Sequence, residues 1–189
     1  MGLALSTPPA ETPLSLAEIK THLRVVSTAE DDLIRGLLTA AVDYIERFTR
    51  RQLVTATYTW TLGAFPGEEF LVPRPPLQSV SSIQYVDTGG ETQTLSTDDY
   101  TVVTSTLPGR IYPAYGVSWP STREVPEAVT VTYVAGFGDA GDVPEMLKTA
   151  IRLLVAHWYE HREATTETRI EDLPLGLQSI LWLYRVPEV

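Results

Sequence analysis

From Leu33 onward, apolar side chains recur at steps of three and four: Leu33, Ile34, Leu37, Leu38, Ala41, Ile45 and Phe48 form one stripe. That period predicts a long amphipathic helix, which Arg47, Arg50 and Arg51 close at its negative dipole end. Ahead of it, Ser15-Leu16-Ala17-Glu18 reads as a capping box opening a short helix that runs to about Arg24, and Ser27 to Glu30 reads as a second box. Near Leu53 the period changes to two. Thr55, Thr57, Thr59 and Thr61 alternate with Ala56, Tyr58, Trp60 and Leu62, which predicts a strand with one hydroxyl face and one apolar face. Further strands are expected at Phe70 to Val72, Val80 to Val86, Thr92 to Leu95, Tyr100 to Val103, Arg110 to Tyr112 and Val129 to Val134, with a turn at Asp87-Thr88-Gly89-Gly90. Pro73-Arg74-Pro75-Pro76 cannot donate to a ladder throughout and is expected as an extended crossing or an edge.

After the glycine-rich link Gly136 to Gly141, Asp142 and Pro144 mark a second long helix, with Leu147, Ala150, Ile151, Leu154, Val155 and Trp158 on one face. Polar residues from Glu163 to Asp172 read as a linker. Leu175, Leu177, Ile180, Leu181, Trp182, Leu183 and Tyr184 then make a short segment that is apolar on nearly all sides. Helices at both chain ends flanking closely spaced strands give an α+β fold, a helical base with an inserted antiparallel β meander. The expected divisions are an extended arm at 1–13, base helices at 14–52, the β insertion at 53–142, the long C-terminal helix at 143–163, and a linker with an apolar docking tail at 164–189. Leu37, Leu38, Leu154 and Trp158 are the candidates for helix packing or a subunit interface. Leu175, Leu177, Ile180, Leu181, Trp182 and Tyr184 are the candidates for partner docking, because large side chains left in water forgo roughly 1.5–3 kcal/mol each.

Composition narrows the function. With 189 residues, 43% of them hydrophobic, the chain can bury a core without covalent staples. It contains no cysteine, hence neither disulfides nor thiolate metal sites, which suits a reducing compartment. No apolar run reaches membrane-spanning length and no secretion signal is indicated, so no membrane partner is expected. A formal charge of −10 and a pI near 4.7 oppose tight binding to phosphates.

Two chemical motifs need weighing. His157-Trp158-Tyr159-Glu160-His161 fits H-x-x-E-H, the inverted zincin pattern, in which two histidines one turn apart bind zinc and the glutamate is the base. A third protein ligand is required, and Glu163, Glu167, Glu171 and Glu188 are the downstream candidates; a flank of an amphipathic helix explains the same spacing without metal. No nucleophile elbow or phosphate-cradling loop accompanies it. The link Val25 to Ser27 between two helices suggests a helix-turn-helix, but the residues facing bases would be Glu30, Asp31 and Asp32, which phosphates repel. Trp60, Trp119, Trp158 and Trp182 read as core or interface anchors. Neither catalysis nor a cofactor or metal is expected.

Four separated segments resemble one family: Leu14 to Arg24, Pro73 to Val80, Pro113-Ala114-Tyr115-Gly116 with Trp119-Pro120, and Leu154 to Arg162. In this order and spacing they resemble the head-tail connector, or head-completion adaptor, family of long-tailed bacteriophages and phage-like gene transfer agents. The resemblance implies a non-enzymatic virion protein, assembled in the host cytoplasm, that forms a ring of usually twelve copies beneath the portal. It further implies contacts with the portal and with a tail-side stopper or tail terminator, and passage of double-stranded DNA without specific binding. An acidic lumen would suit that passage.

Overall fold

The computed structural model describes residues 2–161 and 175–187, which fall into two compact units. One unit comprises Glu11–Val54 with Gly138–Pro187 and is helical. Its helices are α1 (Leu16–Leu23), α2 (Asp31–Thr49), α3 (Glu145–Glu160) and α4 (Leu175–Tyr184). At α1 the capping box forms as the sequence predicts, with the Glu18 N–H donating to Ser15 Oγ at 3.3 Å and the Ser15 N–H donating to the Glu18 carboxylate at 2.8 Å. The second box does not form. Ser27 Oγ instead accepts the Ala29 N–H at 3.2 Å, and Glu30, the N-cap of α2, makes no side-chain cap because its carboxylate accepts from the Tyr159 hydroxyl of α3.

Along α2 the buried line is Ile34, Leu38, Ala41, Ile45 and Thr49, with Thr49 Oγ1 returned to the Ile45 carbonyl at 2.7 Å. Leu33 is exposed, and Leu37 and Phe48 are half-buried, so the apolar arc of this helix is wider than the core covers. Helix α3 buries Leu147, Ala150, Ile151, Leu154 and Val155; Trp158, at its last turn, is half-buried. Helices α2 and α3 pack together, α1 lies against both, and α4 contacts both. The C-terminal end of α2 is locked by a buried polar knot: Gln52 Nε2 donates to the Glu46 carboxylate at 2.9 Å and to the Val54 carbonyl at 3.0 Å, and the Leu53 N–H donates to the same carboxylate at 2.9 Å. Val54 then bridges Gly138. Gly138 sits at φ 137° with Asp142 against the position a Cβ would take, so a side chain is excluded there.

The other unit is built on Thr55–Phe137 and takes in the N-terminal segment. Its strands are β1 (Gly2–Thr7), β2 (Ala56–Leu62), β3 (Phe70–Leu71), β4 (Leu77–Val86), β5 (Thr92–Thr94), β6 (Tyr100–Val103), β7 (Arg110–Pro113) and β8 (Val129–Ala135). Every pairing is antiparallel, as expected, but the ladder order is not the chain order: one sheet runs β1-β2-β8-β4-β5 and the other β3-β7-β6. Central β8 shows why. Val129, Val131, Tyr133 and Ala135 are all buried, a density of core contacts that only a strand flanked on both sides sustains. In β2 the predicted faces hold, with Ala56, Tyr58 and Trp60 inward and Thr57 and Thr59 half-buried on the other side.

The first residues, expected as an extended arm, are extended over Gly2–Thr7 and pair with β2, placing Leu3 opposite Trp60 and Leu5 opposite Tyr58. One expectation needs correcting. Pro73 to Pro76 is a crossing, as one alternative had it, from β3 in one sheet to β4 in the other, but it is bent rather than extended, with Arg74 at φ 57° and a cis Pro75-Pro76 bond. Tyr133 holds this bend by donating its hydroxyl to the Pro73 carbonyl at 2.9 Å, and burial pushes that phenol well above its usual range. Trp119 stacks on Phe65 with centroids 5.2 Å apart and meets Phe70 edge-on, extending the core outward.

Candidate assembly surface

The helical unit carries an aromatic array that begins on α2. Tyr44 and Phe48, one turn apart, stack with centroids at 6.3 Å. Tyr44 meets Trp158 of α3 edge-on at 6.2 Å, and Phe48 meets Trp182 of α4 edge-on at 5.8 Å. Arg185 lies over two of these rings, 4.6 Å from the Trp182 centroid and 5.5 Å from that of Phe48. Tyr44, Phe48 and Trp158 are half-buried, while Trp182 stays 59% exposed, so the array is part core and part surface. Leu33 and Ala40 extend it along the same flank of α2, both exposed.

Helix α4 is fixed to the unit through its other side. Leu177 and Leu181, four residues apart, have no exposed surface, and Val186 beyond the helix is also buried. The Val186 N–H donates to the Thr49 carbonyl at 3.0 Å, and Arg51 Nε donates to the Tyr184 carbonyl at 2.6 Å. Burial pulls the Arg51 guanidinium below its usual range. The candidate docking residues therefore separate. Leu177 and Leu181 are withdrawn from that role in this fold because their own unit encloses them; Ile180 and Tyr184 are half-buried, Trp182 is exposed, and the side chain of Leu175 lies outside the described residues. Of the four packing candidates, Leu38 and Leu154 are core, whereas Leu37 and Trp158 reach the surface.

The two histidines of the motif lie side by side at the C-terminal end of α3. Helix α3 ends at Glu160, and His161 leaves it at φ −111° and ψ 72°, with Nδ1 3.0 Å from the His157 carbonyl and the two rings 4.8 Å apart. Among the described residues no three histidine or carboxylate side chains converge on a possible ion. Glu163, Glu167, Glu171 and Glu188, with the linker, lie outside the described residues. The acidic start of α2 is engaged within its own unit: Asp31 pairs with Lys20 at 2.6 Å, Asp32 with Arg35 at 2.8 Å, and Glu30 with Tyr159. At the other end, Arg47 pairs with Asp43 at 2.8 Å. Among the described residues no helix is long and apolar enough to cross a membrane.

Sequence periodicity missed the array as a unit, although Tyr44 and Phe48 at a spacing of four signalled half of it. Arg185 and the Glu46–Gln52 knot gave no signal, since nothing local marks a side chain that finds its partner through the fold.

Fold and surface thus define a two-unit α+β protein whose helical unit carries a partly exposed array of aromatic rings and an arginine, types that protein interfaces use. The chain belongs to the head completion protein family, whose model matches residues 13–185. Its fold is similar to a chain in the neck of an empty gene transfer agent particle computed with C6 symmetry, at a TM-score of 0.84 and 27% identity, covering 100% of this chain and 97% of that one. A chain of the native gene transfer agent virion (TM-score 0.83, 26% identity) and one from a native neck computed with C12 symmetry (0.80, 25%) match over the same shares. No curated protein matches the sequence significantly.

Proposed function

We propose that this protein is a head-tail connector of a phage or phage-like particle, sited in the virion at the junction of head and tail. The observation that carries this is the family match across residues 13–185 together with a fold that follows gene transfer agent neck chains end to end. Its work is recognition and assembly without covalent chemistry. Copies form a ring, twelve in number by likeness to the C12 neck, which meets the portal on one side and a stopper or tail terminator on the other. Double-stranded DNA passes through it, and the net charge of −10 disfavours retention of the duplex on the way.

Negative-stain microscopy of the purified protein, alone and mixed with its portal, tests the reading: rings, or rings completed on the portal, are expected. Particles from a strain lacking the gene should be DNA-filled heads without tails, restored by adding the protein. A strictly monomeric protein that neither binds portal nor restores tail joining would refute the connector role.

A further inference from the structure

We infer that the aromatic flank running from α2 to α4 is the seat of a neighbouring copy of this chain. The inference rests on the connector reading and adds to it which surface makes the copy-to-copy contact. Four observations converge on it.

Helix α2 presents more apolar surface than its own unit covers. Leu33 and Ala40 stay exposed beside the half-buried Tyr44, whereas Arg35, Thr39 and Asp43 occupy other exposed positions around the helix. The surface crosses three helices through direct ring contacts, Tyr44 to Trp158 and Phe48 to Trp182, so it is a preorganised face and not a scatter of single side chains. Its content of Trp, Tyr, Phe and Arg is what energetically dominant interface positions use.

Charge then selects the occupant. The chain carries 24 acidic against 14 basic residues, so two copies repel on average. At this face Arg185 lies over the rings, whereas Arg47 of α2 is paired with Asp43, so the positive charge offered to a partner is that of Arg185. A second copy, acidic on average, meets attraction at this face. Docked against a different face of the next copy, this surface makes a head-to-tail contact, the kind that closes a ring when the rotation fits.

The absence of cysteine makes a clean test possible. Trp182→Cys is labelled with a benzophenone maleimide, assembled into rings or particles, and irradiated. The expected product is a covalent ladder of this chain alone, with peptide mapping showing position 182 joined to another copy. Crosslinking mainly to a different virion protein, or no crosslink from an assembled ring, overturns the inference. Should the label itself block assembly, unlabelled Leu33→Asp combined with Ala40→Asp gives a second answer. Both positions are exposed, so the melting temperature should hold while the ring falls to monomers, and an intact ring would overturn the inference. If the unsubstituted chain forms no ring alone or on heads, the connector reading itself fails, which is a distinct result.

Discussion

Helices α3 and α4 both bury leucines in the same unit, but they treat their remaining sides differently. Helix α3 surrounds its buried face with Glu145, Lys148, Arg152 and Glu160, and its exposed Met146 and Leu153 sit among those charges. Helix α4 contains no charged residue, so Leu177 and Leu181 go into the core while Trp182 and Leu183 face outward at 59% and 71% exposure. Helix α3 lends the outer array only the half-buried Trp158, whereas α4 turns large apolar side chains both inward and outward. A short helix that is apolar all round and yet tied down along one side is marking a second surface.

The sharpest way to break this contrast is Leu154→Ala. With no exposed surface and a position at the centre of α3, it should cost about 3–5 kcal/mol in chemical denaturation, enough to unfold much of a marginal protein. Leu181→Ala should cost somewhat less, about 2–4 kcal/mol, because a site near the chain end relaxes more readily. A cost below about 0.5 kcal/mol would mean that α4 is not core in solution. Ser15→Ala, which removes the cap of α1, should cost about 1 kcal/mol by the same measurement.

A smaller effect is tied to acid. The carboxyl of Glu18 is held below its ordinary value of 4.5, first by the Ser15 backbone N–H and the Ser15 hydroxyl, then by Arg152 and Lys148 of α3. A depressed folded-state pKa means the stabilisation is present above the ordinary value and disappears as pH falls through the folded one. Melting curves of the wild type and Glu18→Gln should therefore differ near neutral pH and converge in acid, and a gap that widens in acid would contradict the assignment. Trp182→Ala, which loses one edge-on ring contact and the Arg185 stack but little buried surface, should cost no more than about 1 kcal/mol in denaturation. The same change should weaken copy-to-copy association, and that separation of fold from assembly is what distinguishes α4 from α3.

Much of this architecture was legible in the chain. Helical and strand periods placed α2, α3, β2 and β8, since a strong repeat leaves a single way to bury its apolar side. The Ser27 box failed because Glu30 found a better partner, the Tyr159 hydroxyl, which is far away in sequence. Strand β1 was missed because its pairing with β2 is a long-range event, and Leu3 and Leu5 alternating with Ala4 and Ser6 is a pattern too short to stand alone. For the candidate surface, the tail residues were named as a group, but only the fold could say which of them face inward. Position along a helix fixes direction, whereas what lies in that direction depends on the partner element.

The bridge between Val54 and Gly138 has a consequence for how such proteins diversify. Val54, where the chain leaves the helical unit, and Gly138, where it returns, are bridged to each other, so the two ends of the segment between them are held together within the helical unit. Loops of that segment can therefore take insertions without changing the distance between its ends, provided Gly138 is retained and the N-terminal strand still pairs with β2.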